Sequence, residues 1–341
     1  MMSLSGQFLK EPGGAFLLPT HHPTPHPLPS PHHRVDTMWM KNPVHCSPAP
    51  PIWNRHFEPR LPLDLERSIF ETTALSHPST IPNLMLIAWR VKSWIEPQLY
   101  RMVSSTHPRS AQLPVAPLDI LSRDLAHKCP SVFRGVKHLF LYTAKDTSKV
   151  DAVLAACPSI TDLFLYVPIR GSLPMLASMP SLRRLVIQPR TLLAFDPDHP
   201  IFCSVTHLEL LEISTSAEAE DVCTKLAMMP KLTHLALNSI EIYHALIPSL
   251  EAFDHLRCMI MLSSEERREM EVDEIPAPLT EDDRFLWIGQ THADSYEDWL
   301  RSAHTGETYW AVADAFIAAR RAGKIDRSCY SICDEDRSWR I

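Results

Sequence analysis

Six segments of this chain share one pattern. Val136-Lys-His-Leu139-Phe-Leu141, Ile160-Thr-Asp-Leu163-Phe-Leu165, Leu182-Arg-Arg-Leu185-Val-Ile187, Val205-Thr-His-Leu208-Glu-Leu210, Leu232-Thr-His-Leu235-Ala-Leu237 and Leu256-Arg-Cys-Met259-Ile-Met261 all read φ-x-x-φ-x-φ, where φ is an aliphatic residue or Met. Their starts lie 22 to 27 residues apart. Three copies follow the same punctuation: Cys157-Pro158-Ser159, Met179-Pro180-Ser181 and Met229-Pro230-Lys231. Upstream of each lies a helical patch, at 150–156, 173–178 and 219–228. One unit is therefore helix, proline stop, short strand and loop. A unit of that size cannot bury its own apolar face, so its copies must stack. Strands that recur after a crossover helix run parallel, with φ side chains on one face and x side chains on the other. The pattern predicts an α/β solenoid: a right-handed array on a parallel sheet over 105–290. The competing expectation is an ordinary βαβ sheet whose strands resemble one another by accident.

Composition sharpens this. Of 341 residues, 31 are proline and only 8 glycine, and the first 60 residues hold 12 of the prolines and 7 of the 18 histidines. Such a stretch cannot bury enough apolar surface to offset chain entropy, so residues 1–58 are expected to be a disordered tail. There is no GxGxxG, GxxxxGK[ST] or GxSxG in the chain. Dinucleotide folds, P-loop enzymes and serine hydrolases with a nucleophile elbow thus lose sequence support. Net charge is −7, and 263–283, with nine acids and two arginines, accounts for it. This segment is expected to be a solvated acidic loop. The neutral remainder offers no footprint for nucleic acid or an anionic membrane, and no apolar run reaches the roughly 18–20 residues of a membrane span. Eight cysteines without a CxxC pair fit reduced thiols in cytoplasm or nucleus. Cys329 and Cys333 lack two further zinc ligands. His138, His207 and His234 share a strand register with Asp162 and Arg184 between them, so no metal site and no cofactor is expected. The sequence offers no catalytic motif.

Residues 59–104 read as a helical module. Leu61-Pro62 precedes a first helix with Leu65, Ile69 and Phe70 on its apolar face, and proline suits the opening turn. Ser79-Thr80-Ile81-Pro82 marks a second start. From there Leu84, Ile87, Ala88, Val91, Trp94 and Ile95 form one helical stripe, while Met85, Leu86 and Trp89 lie on another face. Pro97 is expected to end this helix. At the other end, 284–288 reads as one more strand. Two helices follow, at about 295–303 and 307–322, the second with Tyr309, Trp310, Ala313, Phe316 and Ile317 on one side. Residues 291–341 are expected to cap the end of the array.

The period and the φxxφxφ strand resemble the leucine-rich repeat. Leu61-Pro62, Ile69 and Ile87-Ala-Trp-Arg-Val-Lys-Ser-Trp94 resemble an F-box, which opens with Leu-Pro and later carries an aliphatic-x-x-Arg-x-x-x-Trp-like stretch. Together they look like the F-box/leucine-rich-repeat proteins, of the divergent type abundant in fungi, over about 61–290. Two departures stand out. The asparagine that follows the strand in that family is replaced by Ala144, Pro168, Arg190, Ile213 and Ile240, and Asp64 stands where the F-box has glutamate. The resemblance implies a non-catalytic substrate receptor of a cullin–RING ubiquitin ligase. A Skp-type adaptor would bind Leu61, Pro62, Leu65, Met85, Leu86 and Trp89. The outward strand positions His138, Phe140, Tyr142, Asp162, Phe164, Tyr166, Arg184 and His207, with their four aromatics side by side on adjacent strands, would hold a protein target, unless Leu99–Val103 or the C-terminal segment folds over them. A repeat scaffold without ligase association is the alternative, and an enzyme whose site carries no sequence motif is a remote one.

Overall fold

The six patterned segments become six consecutive strands of one sheet. A computed structural model of the chain describes residues 61–106, 115–128, 130–142, 147–166, 173–211, 216–238, 240–263, 275–289 and 294–332, all within one compact unit, Pro59–Ile341. The expected tail, 1–58, lies outside the described residues. The strands are β1 (Met102–Ser104), β2 (Ala116–Pro117), β3 (His138–Leu141), β4 (Asp162–Leu165), β5 (Arg184–Ile187), β6 (His207–Leu210), β7 (His234–Leu237), β8 (Cys258–Ser263), β9 (Phe285–Gly289) and β10 (Ser331–Ile332). They form a single ten-stranded parallel sheet in the order β10-β9-β8-β7-β6-β5-β4-β3-β1-β2, so the fold is of the α/β class.

The register follows the pattern. Leu139 pairs with Leu163, Leu163 with Leu185, Leu185 with Leu208, Leu208 with Leu235 and Leu235 with Met259. A slip of one residue would turn every aliphatic side chain to the wrong face. A threonine reinforces three of these steps. The hydroxyl oxygens of Thr161, Thr206 and Thr233 lie within hydrogen-bond distance of the carbonyls of Lys137, Arg183 and Thr206, one strand back. Strands β1, β2 and β10 were not legible, because two or three residues carry no period. They also change the topology. β2 lies outside β1, so the strand order reverses between β1 and β3.

The φ positions of β3–β8 pack with Val150, Val153, Leu154, Val222, Leu226 and Ile242 of the connecting helices, all buried. The opposite face of the sheet is covered by the helices Asp294–Thr305 and Tyr309–Arg321. This corrects the expectation that they cap the end of the array. Their Tyr, Trp and Phe side chains find apolar partners on the outward strand positions, and burying them there outweighs a position at the edge.

The helical module also departs from expectation. It consists of Leu63–Ser76, the short helix Ile81–Leu84, and Trp89–Leu99. The expected continuous second helix breaks at Ala88, whose backbone is extended at φ −158°, ψ 152°. The break re-phases the chain and turns Ile87 out to solvent, although the stripe placed it inside. Pro97 does not end the helix but sits within its last turns. Leu65 and Ile69 are exposed, and Ala74 with Phe70 packs instead on Ile81, Val91 and Ile95. The boundary at 104 also moves, since β1 belongs to the sheet. Gly135 fits where the module meets β3, because a Cβ there would overlap the Pro97 carbonyl. The acidic loop is corrected in part. Residues 264–274 lie outside the described residues, but Leu279 is buried and Asp282 pairs with Arg284 at 2.8 Å. Among the described residues, no helix is long and apolar enough to cross a membrane.

Candidate functional site

Two surfaces carry the residues singled out in the sequence, and the structure treats them in opposite ways. In the helical module, large apolar side chains face water. Leu86 is 84% exposed, Trp89 79% and Ile87 59%, and Leu61, Leu63, Leu65 and Ile69 are exposed as well. Among the exposed large apolar side chains of the described residues, only Ile120 and Tyr142 lie outside this module. The Arg90 guanidinium donates to both Glu66 carboxylate oxygens, at 2.8 and 3.2 Å. That fork ties the start of Trp89–Leu99 to the first turn of Leu63–Ser76. It thereby gathers the apolar residues around Glu66 and those around Arg90 at one end of the module. Of the expected adaptor-binding residues, Leu61, Pro62, Leu65, Leu86 and Trp89 are exposed. Met85 is not among them, being half-buried against the module's own core because the turn after Leu84 swings it inward. Leu63, Ile69 and Ile87 join the surface unforeseen. Only the break at Ala88 reveals Ile87, and a periodic stripe conceals that break.

The sheet surface is covered. His138, Phe140, Asp162 and Phe164 are all buried. Arg184, His207 and Tyr166 are half-buried, and Tyr142 alone of the eight expected target-binding residues is exposed. Phe140 stacks on Phe164 with ring centroids 4.1 Å apart, and Tyr142 on Tyr166 at 4.7 Å, so the aromatic row exists as expected. Its cover comes from Tyr296 and Trp299, whose rings lie 4.6 and 5.2 Å from Phe140. Farther along, Trp310 stands edge-on to the stacked rings of His207 and His234. As an open target surface, this row is therefore corrected. The signal for the cover was the one-sided stripe on the C-terminal helix, which needed an apolar partner.

Beneath the cover runs a row of polar and charged groups. Asp162 receives the Thr161 hydroxyl at 2.7 Å, His138 Nδ1 at 3.1 Å and the Arg184 guanidinium. Burial alone would raise its pKa. The hydrogen bond and charge of His138, the charge of Arg184 and the Thr161 bond outweigh it and hold the carboxyl below its ordinary range. His207 goes the other way. Burial, then His234 and Arg184, push its pKa down to about 3, leaving a neutral ring. Glu209 is pushed up to about 7 by burial, although Tyr309 donates to it at 2.8 Å. His234 meets Asp314 of the covering helix at 3.0 Å. Between these groups lies a cavity of about 50 Å³, lined by His138, Asp162, Arg184, Glu209, Trp299 and Tyr309 among others. That holds about three waters and falls well short of the roughly 300–1,000 Å³ of ligand pockets. Asp162 is occupied by its donors and Glu209 by Tyr309, so the row reads as a buried polar network that fixes the cover in register.

Among the described residues, no three His, Cys, Asp or Glu side chains are gathered to hold a metal ion. Cys157 lies in the sheet core, where burial pushes its thiol up to about 12, so it is an inert core residue. Compared with known proteins, the chain matches no family model, no curated protein and no solved structure.

Proposed function

We propose that this chain is a non-catalytic, F-box-like substrate receptor of a cullin–RING ubiquitin ligase, with its sheet acting as a leucine-rich-repeat-like solenoid. The observation that carries the reading is the exposure of Leu86, Ile87 and Trp89 at the end of the helical module. A contiguous apolar surface on a folded protein marks a partner site. Here it falls on the segment that resembles the adaptor-binding helices of an F-box. The chain would perform no chemistry; it would hold a target near a ubiquitin-loaded enzyme and so raise the effective concentration of its lysines.

The test is co-purification of the full chain with a Skp-type adaptor, beside a Leu86→Asp/Trp89→Asp version. The receptor reading expects the adaptor with the unaltered chain and at least tenfold less with the double variant. Equal recovery, or recovery with neither, overturns it. A second reading is a repeat scaffold whose module only caps the sheet. It is favoured by Leu99, which packs on the cores of both module and sheet. That reading expects no adaptor in either sample.

A further inference from the structure

The two covering helices are bedded very differently. In Tyr309–Arg321, Trp310, Ala313, Phe316 and Ile317 are buried in one cluster with Ala236, Cys258, Ile260 and Leu286 of the sheet. Its Arg320 donates to the carbonyls of Asp283, Phe285 and Cys329, stitching it to the β9–β10 edge. Among the described side chains of Asp294–Thr305, Leu300 and Ala303 are buried, and its aromatic anchors Tyr296 and Trp299 are half-buried, Trp299 over the small cavity. The helices are also closed independently. Gly306, at φ +78°, ends the first with open space around it, and the Thr308 hydroxyl caps the second by accepting from the Ala311 N–H.

The place where the first helix sits is notable. Strand order reverses between β1 and β3. In open parallel sheets, the crevice at the carboxyl ends of the strands flanking such a reversal is where ligands bind. The Tyr296 hydroxyl occupies that position, 3.1 Å from both Ser104 Oγ and the Thr106 carbonyl. Beside it Thr106 Oγ1 is buried with no hydrogen-bond partner among the described residues. The resident helix thus fills the crevice without satisfying it.

We propose that this crevice, with the Phe140–Phe164 stack, is a docking site for an amphipathic helix of a partner protein presenting Tyr and Trp three residues apart. Helix Asp294–Thr305 is its occupant in the free chain. Tyr296, Trp299, Leu300 and Ala303 follow the i, i+3, i+4, i+7 spacing by which one helix fills such a groove. The proposal deepens the receptor reading by naming the chemistry of the target, and its failure is separable: adaptor binding reports on the module, peptide binding on the crevice.

The test uses the full chain and a labelled peptide with the sequence of residues 294–305. In the unaltered chain, amide hydrogen exchange is expected at least tenfold faster in 294–305 than in 309–321. Exchange of both helices at one common rate overturns the proposal. A chain carrying Tyr296→Ala/Trp299→Ala is expected to bind the peptide at least tenfold more tightly than the unaltered chain does, and a peptide with the same two substitutions is expected not to bind. Equal affinity for the two chains, with the variant folded by circular dichroism, also overturns it. If the variant does not fold, the exchange measurement decides.

Discussion

Trp89 and Trp310 are both placed by helices, yet one lies almost bare and the other is sealed against the sheet. The helical module keeps its apolar residues in water because the segment after Leu84 breaks at Ala88 and leaves Leu86, Ile87 and Trp89 exposed. The sheet's outward face carries equally apolar residues, but an amphipathic pair of helices later in the same chain covers it. Alternation along a strand thus says which side chains share a face, not whether that face meets water, and among the described residues most of the exposed large apolar side chains belong to the module.

The contrast can be broken by substitution. Trp310→Ala should cost about 3–5 kcal/mol of stability, the range for emptying a buried aromatic site, whereas Trp89→Ala should stay within about 0.5 kcal/mol. Urea denaturation of the two variants measures both, and equal costs would erase the distinction between bare and covered. Asp162→Asn should cost about 3 kcal/mol at neutral pH, because it leaves His138 and Arg184 without their buried partner. Asp162 titrates below its unfolded value, so its contribution is present above the ordinary aspartate range and fades as pH falls. The gap between variant and unaltered chain should therefore narrow in acid.

Glu209 sharpens the same point with the opposite sign. The folded state keeps a proton that the unfolded chain gives up near pH 4.5, so stability falls as pH rises from there to about 7. Glu209→Gln keeps an acceptor for Tyr309 and removes that penalty. It should stabilise the chain by about 1–3 kcal/mol above pH 7 and by little at pH 4.5, as thermal melts across that range would show. A more modest effect belongs to the join of the two regions. Gly135→Ala should cost about 1–2 kcal/mol by pushing against Pro97, with loosening confined to the module in hydrogen exchange.

Much of the sheet was legible because its signal is periodic. Leu139, Leu163, Leu185, Leu208, Leu235 and Met259 stand at matched places in the pattern and pair in that order. The helices Asp294–Thr305 and Tyr309–Arg321 were legible for the same reason, to within a few residues. What escaped lacks a period or acts across distance. β1, β2 and β10 are too short to alternate. The break at Ala88 is a single backbone turn within an intact stripe. Glu209 and Tyr309 stand 100 residues apart, and nothing local to either announces the other. Leu86 and Trp89 could be read as exposed because they fall off the stripe, whereas the burial of Phe140 and Phe164 depended on a helix more than a hundred residues downstream.

The central claim is that the open binding surface of the free chain lies on the helical module and not on the sheet. Hydrogen–deuterium exchange of the full chain with and without a purified Skp-type adaptor tests this directly. The account expects new protection within residues 61–95 and unchanged exchange in 294–321 and in β3–β6. Protection on the covering helices or the sheet, with the module unchanged, would contradict it, as would no protection anywhere at saturating adaptor.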